Sequence, residues 1–298
     1  YYNKKTKDLL FNINVPVELG ASTTTVNGGT VLNEGVEVEL GWRDQIGDFS
    51  YSVNGNFSTL HNEVTYLDPT ISRISGTGPQ GSTLRTYFEQ GYPIWYMRGY
   101  KAIGIDKATG EPIFEDLDGE EGINEADMQM VGSGIPDYTY GITFNASWKN
   151  LDFTLFGTGV AGADIYLGLY RTDRPMCNTF ALYHEQGFDK LGSAAKYPKA
   201  STIASDNGFW SSSATVFNGS FFKIKQIQLG YTLPRNLTKK VAINSLRIYG
   251  SLDDYFTFTS YPGLDPETAT TGSGNQIGVD TGRYPIAKKL IFGLNVTF

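Results

Sequence analysis

The sequence predicts an all-β fold, a transmembrane antiparallel β-barrel segment of about 8 to 10 long strands. Three observations carry this. Apolar and polar residues alternate over runs about twice as long as the usual five or six residues of a strand. The connections between runs alternate between short and long, as in outer-membrane barrels. No window shows a helical period of comparable length.

The first run covers residues 1–13. In the second, Val36, Val38, Leu40 and Trp42 alternate with Glu37, Glu39, Gly41 and Arg43. In the third, Phe49, Tyr51, Val53 and Phe57 alternate with Ser50, Ser52, Asn54, Asn56 and Ser58. Residues 138–148 repeat the pattern, with Tyr138, Tyr140, Ile142, Phe144, Ala146 and Trp148 on one face. Further strands are expected at 151–166, 217–233, 243–258 and 284–298, the last placing Ile286, Leu290, Phe292, Leu294, Val296 and Phe298 together. Short connections fall near Asp44–Ile46, at Asn150 and at Pro234–Ala242, and long loops are expected at about 14–30, 61–137, 167–216 and 259–283. Trp42, Trp148 and Tyr231 lie near the short turns, where an aromatic girdle belongs.

The polar faces are small. Ser, Thr, Gly and Asn side chains cannot fill the interior of an eight-stranded barrel, which suits one arc of a wider wall. Alternation turns Glu37, Glu39, Arg43 and Asn54 toward the lumen. Charged residues make up 18% of the 298 residues, below the roughly 25% of ordinary domains, and the net charge of -7 argues against nucleic acid as a partner. Only eleven uncharged residues lie between Asp152 and Asp164, too few for a membrane helix, so a bilayer would be crossed by strands. The single cysteine, Cys177, is expected to be an inert loop thiol. The chain opens at Tyr1 in strand-like sequence and is expected to be part of something longer.

Enzymatic signatures are sparse. His61 and His184 are the only histidines, and neither has a metal-ligand spacing. Gly76–Gly81 matches G-x-G-x-x-G but lies in a loop with Pro79 inside it and lacks the strand-to-helix context. Asp253 and Asp254 are adjacent and should point to opposite strand faces.

The stretch Gly219-Ser-Phe-Phe-Lys-Ile-Lys-Gln-Ile-Gln-Leu-Gly-Tyr-Thr-Leu-Pro234 resembles the hallmark strand of the SusC/RagA family of TonB-dependent transporters. Asn33–Leu40, Pro136–Gly141 with Trp148–Asp152, Leu246–Ser251 and Tyr261–Pro266 look like the same family, in family order. The resemblance implies the C-terminal portion of a 22-stranded outer-membrane barrel of a Gram-negative, Bacteroidetes-like bacterium. It further implies import of oligosaccharides or peptides under a SusD-like surface lipoprotein. The remaining strands, the plug and the region that engages TonB are not in this sequence.

Segment 61–137 holds 13 acidic against 5 basic residues. Within it, Asp116–Asp127 resembles the family's calcium-like segment, placing Asp116, Asp118, Glu120, Asn124 and Asp127 at positions 1, 3, 5, 9 and 12 of a Ca2+ loop. Glu121 stands where such a loop has its turn glycine, so a solvated acidic loop touching the lid protein is the other reading. Among loop aromatics, Trp95, Tyr96, Tyr100 and Trp210, with Tyr92, can stack on cargo or pack the loops. Two rivals remain on sequence grounds: a free-standing eight-stranded barrel acting as an adhesin or structural protein, and a soluble carbohydrate-binding β-sandwich.

Overall fold

A computed structural model describes residues 1–14, 23–76, 78, 84–169, 180–205, 208–270 and 274–298. Strands β1 (Tyr2–Asn14) and β2 (Thr23–Gly35) pair antiparallel, with Tyr2 opposite Gly35 and Asn14 opposite Thr23. Most of the long loop expected at 14–30 is therefore ladder. After Val36 the chain runs on as β3 (Glu37–Ile46), turns at Gly47–Asp48, and returns as β4 (Phe49–Thr59) and β5 (His61–Leu67). The pairings Glu37–Ser58 and Glu34–His61 keep one register across the break, which the Thr59 N–H bond to the Val36 carbonyl at 2.9 Å bridges.

The next segment builds β6 (Ile74–Ser75), β7 (Arg85–Phe88), β8 (Tyr96–Tyr100), β9 (Ala102–Ile105), β10 (Pro112–Phe114) and β11 (Met128–Gly132). The wall resumes with β12 (Tyr138–Trp148) and β13 (Leu151–Ala161). A second loop region holds β14 (Asp164–Leu167), the short helices α1 (Ala181–Glu185), α2 (Phe188–Leu191) and α3 (Ala200–Ser205), and β15 (Val216–Asn218). Then come β16 (Phe221–Thr232), α4 (Arg235–Thr238), β17 (Ser245–Thr259), α5 (Pro266–Thr270), β18 (Val279–Asp280) and β19 (Lys289–Thr297).

A seven-stranded sheet in the order β19-β17-β16-β13-β12-β4-β3 forms the wall, and β1-β2-β5 extends it upward. One ladder row runs Trp42, Val53, Phe144, Leu155, Ile227, Leu252, Leu290 across all seven strands. The row one residue along, Arg43, Ser52, Asn145, Thr154, Gln228, Ser251, is polar across six. The apolar face is open: Leu40 is 72%, Trp42 64%, Phe292 78% and Leu294 65% exposed. In water this would be costly; against lipid it is what a barrel wall requires. From Val36 to Ile46 a tilted strand rises about 25 Å, the height of the lipid-facing band.

Above Gly35 and Thr59 the polarity inverts. Val31, Val64 and Leu67 turn inward and are buried against Phe88, with Leu9, Phe11, Ile94 and Trp95 around them. Glu34 faces outward there, and Tyr1 and Asn3 both bond its carboxylate. Loop-layer clusters around Tyr183 and around Leu84, Met97, Tyr166 and Val279 complete the core.

Ile142→Arg, in the middle of the open apolar face, should destabilise the barrel in a bilayer by about 2–4 kcal/mol. Its neighbour Thr143→Arg, on the polar face, should lose much less. Urea unfolding in lipid vesicles distinguishes them; equal losses would contradict the assignment of faces.

Candidate functional site

The polar face presents small side chains in a hydrogen-bonded mesh. Thr154 donates to Asn145 Oδ1 at 3.0 Å, and Ser50 and Ser147 lie 2.7 Å apart. Glu37, Glu39 and Arg43 sit on this face opposite Ser58, Asn56 and Ser52, and Asn54 lies over Gly41. Near the short turns, Arg247 of β17 reaches across β16 to Asp152 of β13, its Nε donating to Oδ1 at 2.8 Å and its Nη2 to Gln228 at 2.9 Å. Gly230 makes the crossing possible, because a Cβ there would meet Arg247 Nη2 and the Asp152 carboxylate.

Higher on the same face lies a network that the sequence reading missed. Lys223 is 2% exposed, and its ammonium donates to Asp265 at 3.0 and 3.1 Å and lies 2.7 Å from Glu267. Lys225 donates to Glu267 at 2.6 and 2.7 Å and lies 3.1 Å from Asp254. Asp254 comes from β17, Glu267 from α5 and Asp265 from just before α5, and Asp265 also accepts from the Ile286 and Glu267 amides. A bulge between Ile224 and Gln226 switches the alternation, so that Ile224 takes the outward row and Lys223 and Lys225 turn inward. Asp254, in left-handed backbone at φ 58°, completes the bulge. The expectation that Asp253 and Asp254 face apart therefore fails: Asp253 accepts from Ser251, Asp254 meets Lys225, and both serve the polar side. Alternation alone hid it: Lys223 and Lys225 share the parity of Ile227, Leu229 and Tyr231 on the lipid face, and only the bulge brings them inward.

Of the loop aromatics, Tyr96 is 2% and Trp210 1% exposed, which corrects their expected role as stacking surfaces. Tyr183 stands edge-on to Tyr197, Phe209 and Trp210 at 4.9, 5.4 and 5.6 Å, and Trp210 Nε1 donates to the Ile203 carbonyl at 2.8 Å. Trp95 packs on Phe88 at 5.7 Å, and Tyr100 on Phe114 at 5.6 Å beside a cleft lined by Pro112, Ile123 and Gly208. Tyr92, stacked on Tyr96 at 4.4 Å, keeps 37% of its surface open.

In the acidic loop, carboxylate oxygens of Asp116, Asp118 and Asp127 lie within 4.8 Å of one another. Glu120 is not among them. Asn124 spends its carbonyl on the Ala126 amide as a helix cap and its Nδ2 on the Asp118 carboxylate. Amides also hold the carboxylates: Gly119 N–H donates to Asp116 at 2.7 Å, Glu120 to Asp118 at 2.9 Å, and Asn124 and Leu117 to Asp127 at 2.9 and 2.8 Å. Those two amides hold the buried Asp127 carboxyl below the usual range. The turn that lacks a glycine at Glu121 is made instead by Gly119 and Gly122, both with positive φ. Cys177 and most of Gly76–Gly81 lie outside the described residues.

Lys223→Met should strand the buried Asp265 without a cation and leave Glu267 to Lys225 alone, at a cost of about 3–5 kcal/mol, and loosen residues 260–270 and 274–286. The double variant Lys223→Met with Asp265→Leu should recover much of the loss. Hydrogen exchange of that segment reads both, and unchanged protection in the single variant would remove the network's structural role.

No protein-family model matches the chain. TonB-dependent receptor P3 of Formosa agariphila is 28% identical over 339 residues, covering 100% of this chain and 32% of the receptor. TonB-dependent receptor SusC of Bacteroides thetaiotaomicron is 25% identical over 316 residues, covering 100% and 29%. A structure of the RagAB peptide transporter superposes with a TM-score of 0.80 at 23% identity, over 99% of this chain and 32% of that one. That last likeness shows the fold, part of the same barrel. The chain spans about a third of the length of the receptors it matches. Wall, loop layer and sequence similarity agree in making this chain similar to a segment of SusC/RagA-like TonB-dependent receptors.

Proposed function

We propose that this chain forms the C-terminal part of a TonB-dependent importer in the outer membrane of a Gram-negative bacterium, taking up oligosaccharides or peptides with a SusD-like lipoprotein. The observation that supports this most is the seven-strand wall with one face mostly apolar and open and the other mostly polar, carrying a folded loop layer. SusC and RagAB are similar over the whole chain and are named as a receptor and a peptide transporter. Plug, TonB contact and remaining strands would come from the rest of the protein. Passage through such a wall requires no covalent chemistry from it.

The rivals fit less well. Among the described residues β3 and β19 are the two edges of the wall and do not pair with each other, so the seven strands form an open arc and not a closed small barrel. A sandwich would cover the apolar face, which instead stays open.

In this reading Glu37, Glu39, Arg43 and Asn54 line the passage, touching plug or water. Replacing all four with alanine in the full-length protein should alter uptake or plug retention while changing barrel stability by no more than about 0.5 kcal/mol per site. Cargo uptake by whole cells and native mass spectrometry of the detergent extract test the reading together. Failure to co-purify with a lipoprotein, with no TonB-dependent uptake, would overturn it.

We also propose that Asp116, Asp118 and Asp127 take calcium, at an affinity of about 10⁻⁴–10⁻³ M, as extracellular modules do. Three carboxylates this close repel one another unless a cation sits between them. Calorimetric titration should show one site that Asp118→Ala abolishes; no heat at millimolar calcium would leave a solvated acidic loop.

A further inference from the structure

All three arginines of the acidic segment 61–137 gather on one face of the loop-layer sheet, although that segment holds 13 carboxylates. Arg85 of β7 stands directly opposite Arg98 of β8 in the ladder, a placement of like charges that costs stability unless an anion answers it. Arg73 and Arg98 both lie over the Tyr87 ring, 5.7 and 6.0 Å from its centre. Among the described residues the carboxylate paired with them is Glu125, which is 75% exposed and lies 3.9 Å from Arg73 and 3.8 Å from Nη1 of Arg98, beyond hydrogen-bonding length. Glu115 is paired with Lys101, and Glu89 is taken by the Tyr96 hydroxyl. Arg98 Nη2 donates to the Glu125 main-chain oxygen at 3.2 Å, while its buried Nη1 has no hydrogen-bond partner.

A guanidinium fork held by an aromatic ring, with one nitrogen unmet, is built for a planar oxyanion. The same face carries Met130, the other ladder neighbour of Arg98, and the open ring of Tyr92. We infer that Arg73, Arg85 and Arg98 bind a carboxylate on the cargo, with Tyr92 stacking against the group that bears it. The inference rests on the importer reading, and its chemistry fits either the C-terminal carboxylate of a peptide or a uronic acid of an oligosaccharide.

The test uses the full-length protein in detergent. Binding of a tripeptide is compared with its C-terminal amide, and binding of an oligogalacturonate with its methyl ester. The acid form of one pair should bind about tenfold more tightly than the neutral form, as expected for one charge-assisted bidentate contact. The exposed Arg85→Gln and the Arg98→Gln variants should erase the preference, and Arg98→Lys should keep part of it. The pair that shows the preference identifies the source of the carboxylate. Equal binding of acid and neutral forms in both pairs overturns the site, and that result is also expected if a carboxylate from another part of the protein already fills the cluster. A preference that survives in Arg85→Gln and Arg98→Gln overturns it equally. Uptake by cells separates the two readings: acid-selective binding without uptake leaves the site and removes the importer, whereas uptake without acid preference removes the site alone.

Discussion

A strand that crosses hydrocarbon must pair every backbone N–H and C=O with a neighbour, and the rest of this structure follows from that requirement. From β3 through β4 and β12 to β13 the ladder runs without a register shift. Because side chains alternate with a period of two, an unbroken register gives all these strands the same two faces. The wall breaks register only around β16, at Phe156–Gly157 and Ile224–Gln226. There the displaced residues Lys225 and Asp254 lie on the polar side and meet each other at 3.1 Å. An irregularity that would be costly facing lipid is thus answered by charge facing the interior.

The same logic explains the change of polarity at Gly35 and Thr59. Below it, lipid covers the outer face and the inner face can stay wet. Above it, water reaches the outside, so the apolar residues must turn inward and need a cover, which Phe88, Ile94 and Trp95 provide. The backbone continues in one register through the boundary; only the side chains change sides. The loop layer is therefore a buried-core structure resting on the wall, with its own aromatic cluster around Tyr183, whose hydroxyl is pushed well above its ordinary pKa by burial.

Alternation made the wall legible, including the turn at Asn150, because a half-lipid, half-water environment writes a period of two into the sequence; the first turn, expected near Asp44–Ile46, falls at Gly47–Asp48 because β3 keeps pairing through Ile46. It made the loops opaque. Strands of two to five residues such as β6, β7 and β14 have too few positions to show a period, and their pairing is decided by contacts distant in sequence, as in β14 with β18. The acidic loop was half readable: spacing located Asp116, Asp118 and Asp127 together, but not that Asn124 would cap a turn or that Glu120 would stay apart. Stacking residues were read from type alone, and type cannot separate Trp210, enclosed by the loop core, from Tyr92 at its surface.

The Lys223 network shows how wall and loops are tied. An apolar pair of similar volume would often hold as well as a buried ion pair, so stability alone does not account for it. Position does. Register fixes Lys223 on the inner face of β16, and its three hydrogen-bond donors demand acceptors at that height. Asp265 supplies them only if the chain after β17 bends inward, and its second duty, accepting from the Ile286 amide, fixes where the chain leaves again toward β19. An apolar contact could slide along the wall; two carboxylate oxygens shared between a lysine and two amides cannot. Asp265 and Ile286 are thereby held at a set level on the inner side of the wall, so the register that hides the backbone from lipid also fixes the height at which this loop is anchored.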